Sequence, residues 1–201
     1  MLDGIARRLI DPLLARLAQP LARARISANT MTLAGLACGL ACAWLVAAGL
    51  PRTALVLLAL SRLCDGLDGA IARLGQRSEF GGLLDIVCDF IVYGAVPLGF
   101  AFLDPQSNAL AAATLLLSFY VNGASFLAYA ALAARRGMET QARGVKTLYF
   151  TAGLMEGTET IAMFVAMMLW PAQFAPLAWG FAALCIVTAA SRVWLASKHF
   201  R

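Results

Sequence analysis

The chain has 201 residues, 61% of them apolar and only 13% charged, with a net charge of +5 at neutral pH. A soluble domain is nearer ~25% charged and ~45–50% apolar. The composition therefore excludes an ordinary water-soluble fold and points to one integral membrane domain over 1–201; it also excludes nucleic-acid binding, because no soluble basic domain carries the positive charge.

Residues 1–25 carry Asp3, Arg7, Arg8, Asp11, Arg16, Arg23 and Arg25, which break any apolar signal-peptide core. Leu2, Ile5, Leu9, Leu13, Leu17 and Leu21 recur at helical spacing. This predicts an N-terminal amphipathic helix lying on an anionic membrane surface. The alternative is an ordinary helix packed on the bundle.

Six apolar helices follow, at about 29–50, 53–74, 81–103, 107–134, 146–170 and 176–197. Each has roughly the ~20 residues that cross a hydrocarbon core. The expected fold is thus all-α, with six transmembrane helices behind a surface helix. Fifteen of the sixteen basic residues fall at one end of these helices, and only Arg52 falls at the other. By the positive-inside rule both termini and the 65–89 segment face the cytoplasm. The setting this implies is a bacterial inner membrane.

That segment concentrates the chemistry. Asp65, Asp68, Asp85 and Asp89 stand within 25 residues of an otherwise apolar chain. Asp65 and Asp68, three apart, share a face at the end of the second helix. Asp85 and Asp89, four apart, share one at the start of the third. A short turn joins the helices, so the four carboxylates converge at one cytoplasmic mouth. Carboxylates this close repel one another, and divalent cations relieve that repulsion. Hard oxygen ligands without histidine or thiolate nearby point to Mg²⁺ or Mn²⁺. The only histidine is His199. Cys38, Cys42, Cys64, Cys88 and Cys185 show no metal-ligand spacing and read as small packing residues. Gly66, Gly69, Gly81 and Gly82 flank the aspartates, either for close helix approach or to lay bare backbone against a diphosphate. Arg73, one turn past Gly69, offers a fork of donors to a phosphate.

The pattern Asp-x2-Asp-Gly-x2-Ala-Arg, seven residues, then Gly-x3-Asp-x3-Asp resembles the signature of CDP-alcohol phosphatidyltransferases. Asp65, Asp68, Gly69, Ala72, Arg73, Gly81, Asp85 and Asp89 match it at every defined position. Ile26-Ser27-Ala28-Asn29-Thr30-Met31-Thr32 is similar to that family's Ile-Ser-Pro-Asn-x-Leu-Thr segment, with Ala28 in place of proline. The resemblance implies two divalent ions held by Asp65, Asp68, Asp85 and Asp89, with Asp89 also the general base. It implies nucleotide and diphosphate contacts from Asn29, Thr32, Gly69, Ala72, Arg73 and Gly81. The implied reaction takes CDP-diacylglycerol and a small alcohol to a phospholipid and CMP, in a homodimer surrounded by membrane lipid. The same motif also serves transfer of a CDP-linked head group to diacylglycerol.

Acceptor choice is left to other residues. Arg143 and Lys146, with Arg192, are candidates for an acceptor pocket. Glu156 and Glu159 fall well inside the fifth predicted helix, where ionised acids need partners. They line an acceptor or lipid cavity, or pair with polar groups such as Asn122 and Ser125. They are also the only features that fit a small ion- or proton-coupled transporter better than an enzyme. Trp44, Trp170, Trp179 and Trp194 read as interfacial anchors or packing residues.

Overall fold

The computed structural model describes residues 3–75, 77–136 and 155–200. Among the described residues there are helices and turns but no strand. The helices are α1 Asp3–Arg23, α2 Ala28–Ala47, α3 Pro51–Leu74, α4 Glu79–Leu103, α5 Pro105–Arg135, α6 Gly157–Leu169 and α7 Phe174–His199, with a 3-10 turn Pro171–Gln173 before α7.

Local chemistry sets most of these boundaries. Ser27 caps α2, its Oγ accepting the Thr30 N–H at 3.1 Å. Gly49, at φ +84°, turns the chain after α2, a conformation that suits a residue without Cβ. Pro51 then opens α3. Ser78 caps α4 through the Gly81 N–H at 3.0 Å. Asp104 caps α5 through the Ser107 N–H at 3.2 Å. Its bonds to Ser107 hold the Asp104 carboxyl below the usual carboxylate range.

Four segments are long and apolar enough to cross a membrane: α2, α4, α5 and Pro171–His199, which contains α7. α3 has 24 residues but carries Arg52, Arg62, Asp65, Asp68 and Arg73, because much of its length serves the polar motif. The fifth predicted helix differs more. Its residues 146–154 lie outside the described residues, and α6 has only 13. The helix does not run through Glu156, whose backbone is extended at φ −122° and ψ −168°.

The core is aromatic and tight. Phe100 stacks on Phe174 at 4.3 Å between ring centroids. Phe119 meets Phe164 and Phe181 edge-on. Small residues let α2 approach α4 closely. A Cβ on Gly99 would lie 2.5 Å from the Ala43 carbonyl oxygen, and one on Gly39 would lie 2.4 Å from Val92 Cγ2. These contacts lock α2 to α4, and α3 packs on the same helix through a Ser61 hydroxyl that donates to the Gly35 carbonyl at 2.8 Å.

α1 crosses the motif end of α3. Leu14 and Ala18 are buried against Leu67, Ala70 and Ile71. A Cβ on Gly66 would meet Leu14 Cδ1 at 2.7 Å. This glycine is thus explained by close packing. Ile10, Leu13 and Leu17 remain exposed. The helix therefore buries a face adjacent to the leucine stripe picked out by periodicity and keeps part of that stripe outward.

Gly99→Val should separate α2 from α4 and lower stability by about 1–3 kcal/mol, as overpacking does. Gly82→Ala, where a Cβ has nothing within 4 Å, should be no less stable than the parent. Unfolding curves in detergent check both.

Candidate active site

α3 ends at Leu74 and α4 begins at Glu79, with the start of α2 beside them. Their ends build one cleft, lined by Thr32, Gly35, Leu36, Arg62, Asp65, Asp68, Asp85, Cys88, Asp89 and Val92. All four motif aspartates thus meet, as the helical spacing predicts.

The carboxylates are not equivalent. Asp65, Asp68 and Asp85 each present an oxygen, and these oxygens lie within 4.8 Å of one another. Asp68 is the buried member and accepts a 2.6 Å hydrogen bond from Thr32 Oγ1. Asp89 stands outside this group. Its Oδ1 accepts a 2.8 Å bond from an Arg62 nitrogen, which also lies 3.6 Å from Asp65 Oδ2. A second Arg62 nitrogen donates to Ser61 Oγ at 3.2 Å. The Arg62 Nε is buried with no hydrogen-bond partner.

Arg62 is a site residue that sequence reasoning missed, having counted it only among the charges that orient the chain. A signal was present: it lies three residues before Asp65, on the same helical face.

The residues expected at the nucleotide sit around the same mouth. Asn29 is not a helix cap, since Ser27 fills that role. Its Oδ1 lies 3.1 Å from where a Gly81 Cβ would be, so α2 and α4 meet there. Thr32, expected at the nucleotide, spends its hydroxyl proton on Asp68. Arg73 folds back over Gly69, with one nitrogen 3.6 Å from that residue's Cβ position, and another 3.6 Å from Asp11 Oδ1 on α1. Both partners of that pair are about half exposed, so it adds little stability and leaves Arg73 available to a phosphate. Ala72 is half-buried on α3 beside them.

The acceptor candidates divide. Arg143 and Lys146 lie outside the described residues. Glu156 and Glu159 do not lie deep in a helix. Glu156 is the N-cap of α6 and Glu159 its third residue, and the two form a capping box in which the Glu156 N–H reaches Glu159 Oε2 at 3.3 Å. A helix N-terminus favours acids, which accounts for them without an ion pathway. Arg192, buried on α7, donates from one nitrogen to Asn122 Oδ1 at 2.9 Å, the Asn122 carbonyl at 3.1 Å and Ser125 Oγ at 2.6 Å. Asn122 and Ser125, named above as partners for the glutamates, both bind Arg192, on which Glu156 also acts electrostatically. Asn122 Nδ2 also reaches the Met155 carbonyl at 3.4 Å, which ties the entry of α6 to α5.

A bundle that is helical throughout its described residues, with helix ends converging on four aspartates, suits a metal-dependent phosphotransfer enzyme of the bilayer. The family model for CDP-alcohol phosphatidyltransferase matches residues 25–196, and the chain belongs to that family. It is 45% identical over 194 residues to the inner membrane protein YnjF of Escherichia coli, covering 96% of this chain and 94% of that one. It is 38% identical over 96 residues to an archaetidylinositol phosphate synthase of Methanothermobacter thermautotrophicus, covering 47% and 46% of the two chains. The fold is similar to crystal structures of a Mycobacterium tuberculosis phosphatidylinositol phosphate synthase. The form with CDP-DAG bound gives a TM-score of 0.66 at 23% identity, over 90% of this chain and 92% of that one. The complex with manganese and citrate gives 0.68 at 24%, over 90% and 87%.

Thr32→Val should weaken Mn²⁺ binding about 10–100-fold, the usual cost of losing a partner that orients a metal ligand. Mn²⁺ titration of the purified protein checks this. Unchanged metal affinity with weakened nucleotide binding would place Thr32 on the nucleotide instead.

Proposed function

We propose that this protein transfers the phosphatidyl group of CDP-diacylglycerol to the hydroxyl of a small alcohol and releases CMP, with Asp65, Asp68, Asp85 and Asp89 as the reaction centre. The observation that carries the reading is the approach of the Asp65, Asp68 and Asp85 oxygens to within 4.8 Å of one another. That donor set, three hard carboxylates without nitrogen or sulfur, fits Mg²⁺ or Mn²⁺. Asp65, Asp68 and Asp85 would hold one ion, and Asp89 would complete the site of a second. Bound there, the ions supply charge neutralisation for the diphosphate and its departing CMP.

The chain's own residues do the rest. Asn29, Gly69, Ala72, Gly81 and Arg73 surround the mouth where a cytidine diphosphate lies against backbone and guanidinium. The open space at Gly69 and Gly82 supports this, since a Cβ at Gly82 would touch nothing and one at Gly69 only the Arg73 tip. Asp89 takes the proton from the acceptor hydroxyl as its oxygen attacks the lipid-linked phosphorus. Arg143, Lys146 and Arg192 form the acceptor side. Arg192 is supported as a wall of that pocket by its anchoring to Asn122 and Ser125. The capping box holds Glu156 and Glu159 at the start of α6, and the electrostatic action of Glu156 on Arg192 supports counting both acids with that pocket.

In this reading all six apolar helices cross a bacterial inner membrane, α1 rides on the lipid surface with Leu13 and Leu17 outward, and the protein works as a homodimer. The one-sided distribution of arginine and lysine supports a cytoplasmic active site and cytoplasmic termini.

Purified protein with CDP-diacylglycerol and Mn²⁺ should release CMP with one member of a panel of glycerol 3-phosphate, inositol, inositol 1-phosphate, serine, choline and phosphatidylglycerol. Asp89→Asn should fold, insert and lose at least about 10²-fold in turnover, as for a missing general base. Near-parental turnover in that variant would remove Asp89 from the base role. CMP release that persists in Asp85→Asn and in chelator would sink the metal-dependent reading.

A further inference from the structure

Arg62 stands among the carboxylates as a fixed positive charge, and its geometry differs from that of a settled structural ion pair. One nitrogen binds Asp89 Oδ1 at 2.8 Å and sits 3.6 Å from Asp65 Oδ2, so it bridges the two aspartates that face each other across α3 and α4. Asp89 is not among the three carboxylates whose oxygens group together. The guanidinium is incompletely satisfied, because its Nε is buried without an acceptor. A buried donor without a partner is a cost that an alternative arrangement can relieve.

We propose that Arg62 is the positioning residue of Asp89, a resident cation that holds this carboxylate in reserve and competes with the second divalent ion for it. A guanidinium and a divalent ion cannot both sit against the same carboxylate oxygens without repelling each other. The second ion therefore binds by displacing Arg62 from its 2.8 Å contact with Asp89, whereas the first ion, on Asp65, Asp68 and Asp85, meets Arg62 only across the longer 3.6 Å approach to Asp65. This gives the two ions an order and keeps the acidic cleft partly neutral before they arrive. The proposal rests on the two-ion reading above.

The test is a Mn²⁺ titration of the detergent-solubilised full chain without substrate, following free Mn²⁺ by its electron paramagnetic resonance signal. The set compares the parent with R62Q, R62K, D89N and the double variant R62Q/D89N. R62Q should tighten the weaker Mn²⁺ site by at least about tenfold and the tighter site by clearly less, since Arg62 lies nearer Asp89 than Asp65, while R62K, which keeps the charge, should stay near the parent. D89N should lose the weaker site, and R62Q should change nothing further in that background. Two sites with parental affinities in R62Q overturn the proposal and leave the two-ion reading standing, as does a parallel weakening of both sites in R62Q and R62K. A single Mn²⁺ site in parent and D89N alike overturns the two-ion reading and this proposal with it.

Discussion

The mutual repulsion of four carboxylates at the meeting of two helix ends is the constraint around which this structure is arranged. Asp65, Asp68, Asp85 and Asp89 line one cleft, and like charges that close are tolerated only where something offsets them. The protein meets part of that need itself. Arg62 pairs with Asp89 and lies near Asp65, and Thr32 donates to Asp68. Three oxygens, from Asp65, Asp68 and Asp85, remain grouped. In the proposed reading a divalent ion meets that residual demand for positive charge and shares it with the diphosphate of the substrate.

Holding the carboxylates in register requires close packing beneath them. α2, α3 and α4 are drawn together at Gly35, Gly39 and Gly99, where any side chain would run into a neighbour. Between membrane helices there is little hydrophobic driving force, so such contacts carry much of the association. α1 adds a strap across the motif end of α3, seated by Leu14 over Gly66 and joined to Arg73 through Asp11. The glycines of the motif thus divide by duty: Gly66 serves packing, whereas Gly82 opens on empty space.

Much of this was readable from the residues. The i, i+3 and i, i+4 spacing of the aspartates on two successive apolar helices predicted their convergence, and the expected ranges 53–74, 81–103 and 107–134 fall within about two residues of α3, α4 and α5 at their starts and ends. Less was readable where one residue type serves several ends. Arg62 looked like one more cytoplasmic charge, because its role depends on a contact 27 residues away. Glu156 and Glu159 looked like buried acids within a continuous apolar run. Hydropathy does not register a helix start there, and the S/T-x-x-E form that usually flags a capping box is absent. Leu14 and Ala18 fell outside the leucine stripe because periodicity finds an apolar face, not the surface it packs on.

The central claim is that a divalent ion belongs where Asp65, Asp68 and Asp85 converge. The most direct measurement is anomalous scattering at the manganese edge from crystals of the protein grown with Mn²⁺. The account predicts an anomalous peak in this cleft within bonding distance of all three carboxylates. A well-ordered cleft with no such peak, or a peak bound elsewhere while Asp68 keeps only its Thr32 bond, would contradict it.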